Sequence, residues 1–221
     1  MTLFVILKWS LTPFTDVRTP KLRPTVTKHF TPWHYMFWRS LNGTRYLASP
    51  LVECPLGEIL NSVQFEHDFS LFRYAFDCLD TNQDLGYETV ANSWTKDTWT
   101  PEFLGKRGNI GFLSHQNLSC PARSFLASFR LEVNLETEAL RYIYKCGKLP
   151  SGLKPKCQDR QSPMTDPEDF FLPTLEHHAI KCQPDEGLFM FKMGAKLVSL
   201  SPVIWYNFTC CSPPEMGNST F

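Results

Sequence analysis

The sequence predicts an all-β fold in which three repeated cysteine-anchored units pack as a prism or barrel-like sandwich with pseudo-threefold symmetry. Three observations carry this. Three segments align without gaps on Cys54, Cys120 and Cys182. Apolar residues recur at every second position within each segment, and each closes on a further cysteine, Cys78, Cys146 or Cys210.

The elements follow in order. A leucine (Leu47, Leu113, Leu175) and then an aliphatic residue (Val52, Leu118, Ile180) precede each anchor at fixed spacing, so a short strand runs into the cysteine. Leucine returns at Leu60, Leu126 and Leu188, followed by Val63, Phe129 and Phe191 and by Phe65, Leu131 and Met193. A two-residue spacing of apolar side chains marks a strand with one buried face. The third strand shows the same period through Phe72, Leu140 and Ile204, Tyr74, Tyr142 and Tyr206, and Phe76, Tyr144 and Phe208. Its outward positions hold Arg73 and Asp77, Arg141 and Lys145, and Asn207 and Thr209. The repeated aromatics read as core, and buried tyrosine hydroxyls then need partners or an edge position. One such unit cannot bury its apolar face alone, whereas three packed together can.

The repeats span 46–79, 112–147 and 174–212, with linkers at 80–111 and 148–173 and a tail at 213–221. Residues 1–45 read as a basic leader outside the repeat core. They hold seven Lys or Arg against the single acid Asp16, while the remainder holds 15 basic and 21 acidic residues. The segment Met1–Leu7 looks like a truncated signal h-region, without a basic n-region before it or a small-residue cleavage site after it.

Composition bounds the class. With 43% hydrophobic residues in 221 there is material for a substantial core, and zero net charge gives no argument for nucleic acid. No uncharged apolar run reaches the ~18 residues of a membrane-spanning helix. Eight cysteines, none in residues 1–45 and none in a C-x-x-C pair, argue against zinc ribbons, thioredoxin-like motifs and iron–sulfur sites. An even count fits a disulfide framework in an oxidising compartment, extracellular or at the cell surface. If the two cysteines of each unit pair, each bridge closes a loop of about 25 residues and is worth roughly 3 kcal/mol. Cys157 and Cys211 then remain as a fourth pair. Neighbouring Cys210 and Cys211 point to opposite faces of a strand, and the sequence leaves the pairing of the third unit open.

The stretch Cys54-Pro55-Leu56-Gly57-Glu58-Ile59-Leu60, closing on Arg73-Tyr74-Ala75-Phe76-Asp77-Cys78, resembles the repeats of the dermatopontin family. The segment from Cys120-Pro121 to Phe129-Arg130-Leu131 is similar to the repeats of vitelline membrane outer layer proteins, which form a β-prism. The resemblance covers the three cysteine-bounded units. It implies a secreted, disulfide-bonded, non-catalytic protein of an extracellular matrix or coat, with glycans among the expected ligands.

Four N-glycosylation sequons begin at Asn42, Asn117, Asn207 and Asn218, out of nine asparagines. Asp80-Thr81-Asn82-Gln83-Asp84-Leu85-Gly86 imitates a calcium loop, but its glycine is one place late and Ala91 stands where the bidentate Glu belongs, so a polar turn is expected. His177 and His178 are strand-like neighbours facing opposite ways. His115 and His177 occupy equivalent places before their cysteines, which assigns them to the repeat and not to a metal. No nucleophile elbow, phosphate loop or paired-carboxylate motif occurs, so neither catalytic residue nor cofactor is assigned. Trp94 and Trp99, in the linker, and Trp205, outward in the third unit, are the ligand candidates, because a tryptophan face stacks on sugars and anchors interfaces. The expected function is a non-catalytic module binding a glycan or an extracellular glycoprotein. The alternative is a structural part of an extracellular coat or filament, held to other chains of a larger assembly.

Overall fold

The computed structural model describes residues 24–36, 43–96, 110–137, 139–150, 154–165, 172–198 and 201–213. These form an all-β protein of antiparallel sheets. The first unit contains β1 (Val26–Phe30), β2 (His34–Tyr35), the 3-10 turn Gly43–Ala48, β3 (Val52–Glu53), β4 (Glu58–Asp68) and β5 (Leu71–Asp80). The second contains β6 (Gly86–Ala91), β7 (Thr95–Lys96), the turn Ile110–His115, β8 (Asn117–Ser119), β9 (Ser124–Asn134) and β10 (Ala139–Lys148). The third contains β11 (Lys156–Gln161), the turn Leu172–His177, β12 (Ile180–Lys181), β13 (Gly187–Val198) and β14 (Ser201–Ser212).

Three sheets share one strand order: β1-β5-β4-β12, β6-β10-β9-β3 and β11-β14-β13-β8. They remain separate sheets and do not close into a barrel. In each, the long hairpin lies in the middle, flanked on one side by a strand from its own unit. The other flank is the short strand of another unit. β3 joins the second unit's sheet, β8 the third's and β12 the first's, so the exchange runs in a cycle.

A bulge directs this exchange. The hairpin register slips at Asn61, at Ala127 and at Phe189, which are equivalent places. The freed carbonyl of each accepts a bond from an incoming anchor: Cys182 N donates to Asn61 O, Cys54 N to Ala127 O and Cys120 N to Phe189 O. A bulge leaves one backbone group without a ladder partner. Here the neighbouring unit supplies it.

The disulfides fasten the same joints. Cys54–Cys78, Cys120–Cys146 and Cys182–Cys210 each tie a short strand, lodged in the next sheet, to its own unit's last strand. Cys157–Cys211 instead links β11 to β14 within one sheet. Its counterparts are the cross-strand pairs Val26 with Leu79 and Tyr87 with Gly147.

The core lies between the sheets. Tyr74 packs edge-on against Phe129 of the next unit at 5.8 Å, and Tyr142 against Phe191 of the unit after that at 6.4 Å. Phe129 and Phe191 meet at 5.4 Å and Phe191 meets Tyr206 at 6.0 Å. Edge-to-face rings are each worth about 0.5–1.5 kcal/mol beyond their burial. Tyr74 and Tyr142 are buried, and Tyr206 is half-buried against the same cluster. Burial, and then the neighbouring tyrosines for Tyr74 and Tyr142, push these phenols above their ordinary range. The third equivalent of Phe129 and Phe191 is Val63, so the aromatic ring is broken once.

At one end, Ile59, Phe125 and Gly187 occupy equivalent places and converge in a small core with Leu79, Leu85 and Leu149. A Cβ on Gly187 would lie 2.2 Å from Ile59 Cδ1 and 2.8 Å from Phe125 Cδ1. Two of the three positions fill the space, so the third is glycine.

Two expectations change. Residues 26–30 of the leader are β1, bonded along β5, and Met36 is fully buried in the main core. The described part of residues 1–45 therefore belongs to the fold. The linkers at 80–111 and 148–173 likewise supply β6 and β11. All three are edge strands, and β6 and β11 are exposed on almost every residue. A strand without a buried face carries no apolar alternation, so the pattern that reveals the hairpins is blind to it.

Candidate functional site

Trp94 follows β6 and is held where that strand leaves the sheet. Asn92 N donates to Tyr142 O, and Asn92 Nδ2 donates to Gln116 Oε1 at 3.1 Å and to Asn117 O at 2.9 Å. Trp94 then lies across the outer face of β10, with the Arg141 guanidinium 4.3 Å from its ring centroid. Arg141 is itself fixed, donating through Nε and Nη2 to Glu132 Oε2 at 3.0 and 2.9 Å. Arg130 donates to the other Glu132 oxygen at 3.0 Å. A carboxylate therefore holds a cation, and the cation holds an indole. A guanidinium over an aromatic face is worth about 0.5–1 kcal/mol at an exposed site.

Trp94 keeps 43% of its surface exposed. It edges an open depression of about 760 Å³ with Arg130, Glu132, Asn134, Leu135 and Glu136. The lining holds Arg130 against Glu132 and Glu136, and Arg141 behind the Trp94 ring offsets the second carboxylate, so depression and stack together carry no net charge.

Trp33 occupies the matching place in the first unit. Thr31 N donates to Tyr74 O as Asn92 N does to Tyr142 O. The Arg73 guanidinium lies 4.4 Å from the Trp33 ring and 4.1 Å from the Phe30 ring, and its Nε donates to Glu66 at 2.7 Å. Glu66 pairs with Arg73 across the hairpin just as Glu132 pairs with Arg141. Trp33 lies within residues 1–45, outside the cysteine-bounded repeats, so their periodicity gives it no place. The usable signal was a tryptophan two residues after Thr31 and Asn92 alike.

Trp205 lies on a different sheet and does not join Trp94. It stands across from Gly194, where an added Cβ would meet the indole at 2.2 Å, so the ring lies flat over the glycine. Its Nε1 donates to Asn207 Oδ1 at 3.1 Å and Lys196 Nζ sits 5.6 Å from the ring. Trp99 lies outside the described residues, as do Asn42 and Asn218. Asn117 and Asn207 are exposed. Thr209, expected to face outward, is buried, donating to Asp159 Oδ1 on β11 at 2.6 Å.

The remaining polar features are structural. Asp80 Oδ1 accepts from Asn82 N at 2.8 Å, an Asx turn between β5 and β6. His115 and His177 end their 3-10 turns exposed, and the buried histidine is His178. Its ring contacts Ser162 Oγ at 3.3 Å and Thr165 Oγ1 at 2.6 Å. It takes the place of Gln116, which bonds Thr95 and Asn92. Burial chiefly, and then His177, lower its pKa, against an opposing bond to the Pro163 carbonyl. Two clusters have metal-ligand spacing, His29-Glu58-Cys78 and Cys182-Glu186-Cys210. Their sulfurs are locked in disulfides and offer no thiolate. In the second, Glu186 instead pairs with Arg160 at 2.7 Å. Between Tyr74, Tyr142, Tyr206 and His178 only about 20 Å³ is open, room for about one water and not for a ligand.

Among the described residues no helix is long and apolar enough to cross a membrane. Comparison with protein-family models, curated proteins and solved structures finds no match.

Proposed function

We propose that this chain is a non-catalytic extracellular module that binds glycans through an exposed tryptophan platform. The observation that carries the reading is the Glu132–Arg141–Trp94 stack beside the open depression. A pyranose has one face of weakly positive C–H groups, which suits the negative face of an indole, and a rim of hydroxyls, which suits carboxylate, guanidinium and amide partners. The stack fixes the ring before the ligand arrives, which lowers the ordering cost of binding. The depression is within the ~300–1,000 Å³ of small-ligand sites, and its balanced charge favours a neutral sugar over a sulfated or sialylated one. Four disulfides support an oxidising compartment. For the architecture, we infer a prism with an approximate threefold axis, supported by the common strand order and the cyclic exchange.

Glycan-array screening of the disulfide-intact protein, with Trp94→Ala alongside, tests the reading. The expected result is neutral-glycan binding that Trp94→Ala weakens about tenfold, the equivalent of a ~1.4 kcal/mol stacking contribution. Binding that ignores the substitution, or selects only anionic glycans, would overturn it. The coat-component reading draws on Phe69 and Leu135, 89% and 73% exposed at two hairpin turns. Concentration-dependent assembly abolished by Phe69→Ser and Leu135→Ser would favour it.

A further inference from the structure

We propose that Trp33 is the platform of a second glycan site of the same kind, so that one chain binds two neutral sugar residues, on two different sheets. The inference rests on the reading of Trp94 as a sugar platform and extends it to a residue outside the linker.

The two places match part by part. Glu66 and Glu132 lie on the first hairpin strand, Arg73 and Arg141 directly across from them. The carboxylate–guanidinium bonds measure 2.7 Å in the first unit and 2.9 Å in the second. The ring-to-guanidinium distances are 4.4 and 4.3 Å, and both indoles are 43% exposed. A tryptophan needed only to cover a strand would not require a buttress of fixed charge in two separate sheets. The first unit adds Phe30, whose ring also contacts the Arg73 guanidinium, so that cation meets two aromatic rings. Lys28 lies opposite Asp77 in the strand register, so this surface too is close to charge balance.

The third unit shows why the number is two. Gly194 stands where the others have glutamate, Trp205 where they have arginine, and Met164 where they have the platform tryptophan. Its indole lies on the backbone in place of a guanidinium, with no carboxylate–cation stack to support a separate ring. Two buttressed platforms on a rigid, disulfide-tied body give simultaneous engagement of a surface carrying many copies of one glycan. Such engagement raises apparent affinity without new contacts.

The test titrates the full chain, disulfides intact, with the tetrasaccharides of mannose, galactose and N-acetylglucosamine, reading stoichiometry by calorimetry. Hydroxyl-radical footprinting of the unmutated protein reports on each indole without any substitution. The expected result is two equivalents per chain and protection of both Trp33 and Trp94. Trp33→Ala and Trp94→Ala should each leave one equivalent and the double variant none. One equivalent, with Trp94 protected and Trp33 unaffected, would overturn the second site and leave the first standing. Failure of all three sugars to bind would overturn both readings together.

Discussion

Placing a methyl group on Gly187 tests whether the three units truly meet. The new Cβ would sit 2.2 Å from Ile59 Cδ1, 3.0 Å from Ile59 Cγ1 and 2.8 Å from Phe125 Cδ1. Carbon pairs prefer about 3.5–4.0 Å, so the nearest overlap exceeds an ångström. Both obstructing side chains are fully buried. Overpacking of this kind costs about 1–3 kcal/mol. Ile59→Val removes the closest obstructing carbon and alone costs about 0.5–1.5 kcal/mol. The double variant should therefore lose less than the two singles together, with a coupling of at least about 0.5 kcal/mol. Gly86 is the control, because nothing lies within 4 Å of its added Cβ. Alanine there should be neutral or stabilise by up to about 1 kcal/mol through the unfolded chain. Urea unfolding of the disulfide-intact protein reads all four differences from midpoint and slope. Additive losses, or a Gly187→Ala variant as stable as the parent, would refute convergence of the three units at this point.

Four further outcomes follow from the same structure. The folded pKa of His178 is lowered from 6.5 by burial, so its contribution is present above pH 6.5 and lost as pH falls through the lower folded value. His178→Gln, which installs the residue found at Gln116, should flatten that part of the stability–pH curve when unfolding is measured between pH 7 and 4. Tyr142→Ala should cost about 3–5 kcal/mol in urea unfolding, the range for a large buried aromatic. In absorbance titration Tyr74, Tyr142 and Tyr206 should stay protonated past the ordinary value of 10.0, with stability falling above it because only the unfolded chain ionises. Deleting residues 1–36 should lower the unfolding midpoint clearly. It removes fully buried Met36, worth about 1.5–3 kcal/mol, and strips β5 of its edge partner; an unchanged midpoint would contradict the pairing of β1.

The hairpins were legible because their residues answer to a local rule. Val63 and Phe65 flank exposed Gln64, Phe129 and Leu131 flank exposed Arg130, and Phe191 and Met193 flank exposed Lys192, so the same buried–exposed–buried triplet recurs in all three units. The cysteine anchors fix the register, which is why Cys54–Cys78 and Cys120–Cys146 are readable from the sequence, whereas adjacent Cys210 and Cys211 leave the partner of Cys182 open. What stayed hidden was non-local. Nothing around Val52 or Ile180 states that these residues pair with Phe129 and Val63 of other units. The bulges that receive them fall on Asn61, Ala127 and Phe189, three residue types with nothing in common. Trp94 was visible because no core position accounted for it. Its arginine was classed only as an outward residue, and the carboxylate that fixes the arginine lies on another strand. A cation held between two other groups is a property of the sheet, and no single strand shows it.

The cyclic exchange of short strands has a consequence for how the protein is made. During synthesis the first hairpin emerges with one flank of β4 bare, because its partner β12 belongs to the third unit. Cys54 and Cys78 can already oxidise, while the neighbouring edge stays open until the third unit has been made. Distant pairings of this sort slow folding and leave strand edges exposed in the interval. The fate of that edge decides between two products. If β12 of the same molecule reaches it, the circuit closes and the protein is a finite body. If β12 of a second molecule arrives first, the first molecule's own β12 is left to seek a third, and the identical hydrogen bonds now run from chain to chain. Closed rings and open filaments differ only in whether the last donor returns home, so dilution during oxidative refolding should favour the monomer and crowding the concatenated form.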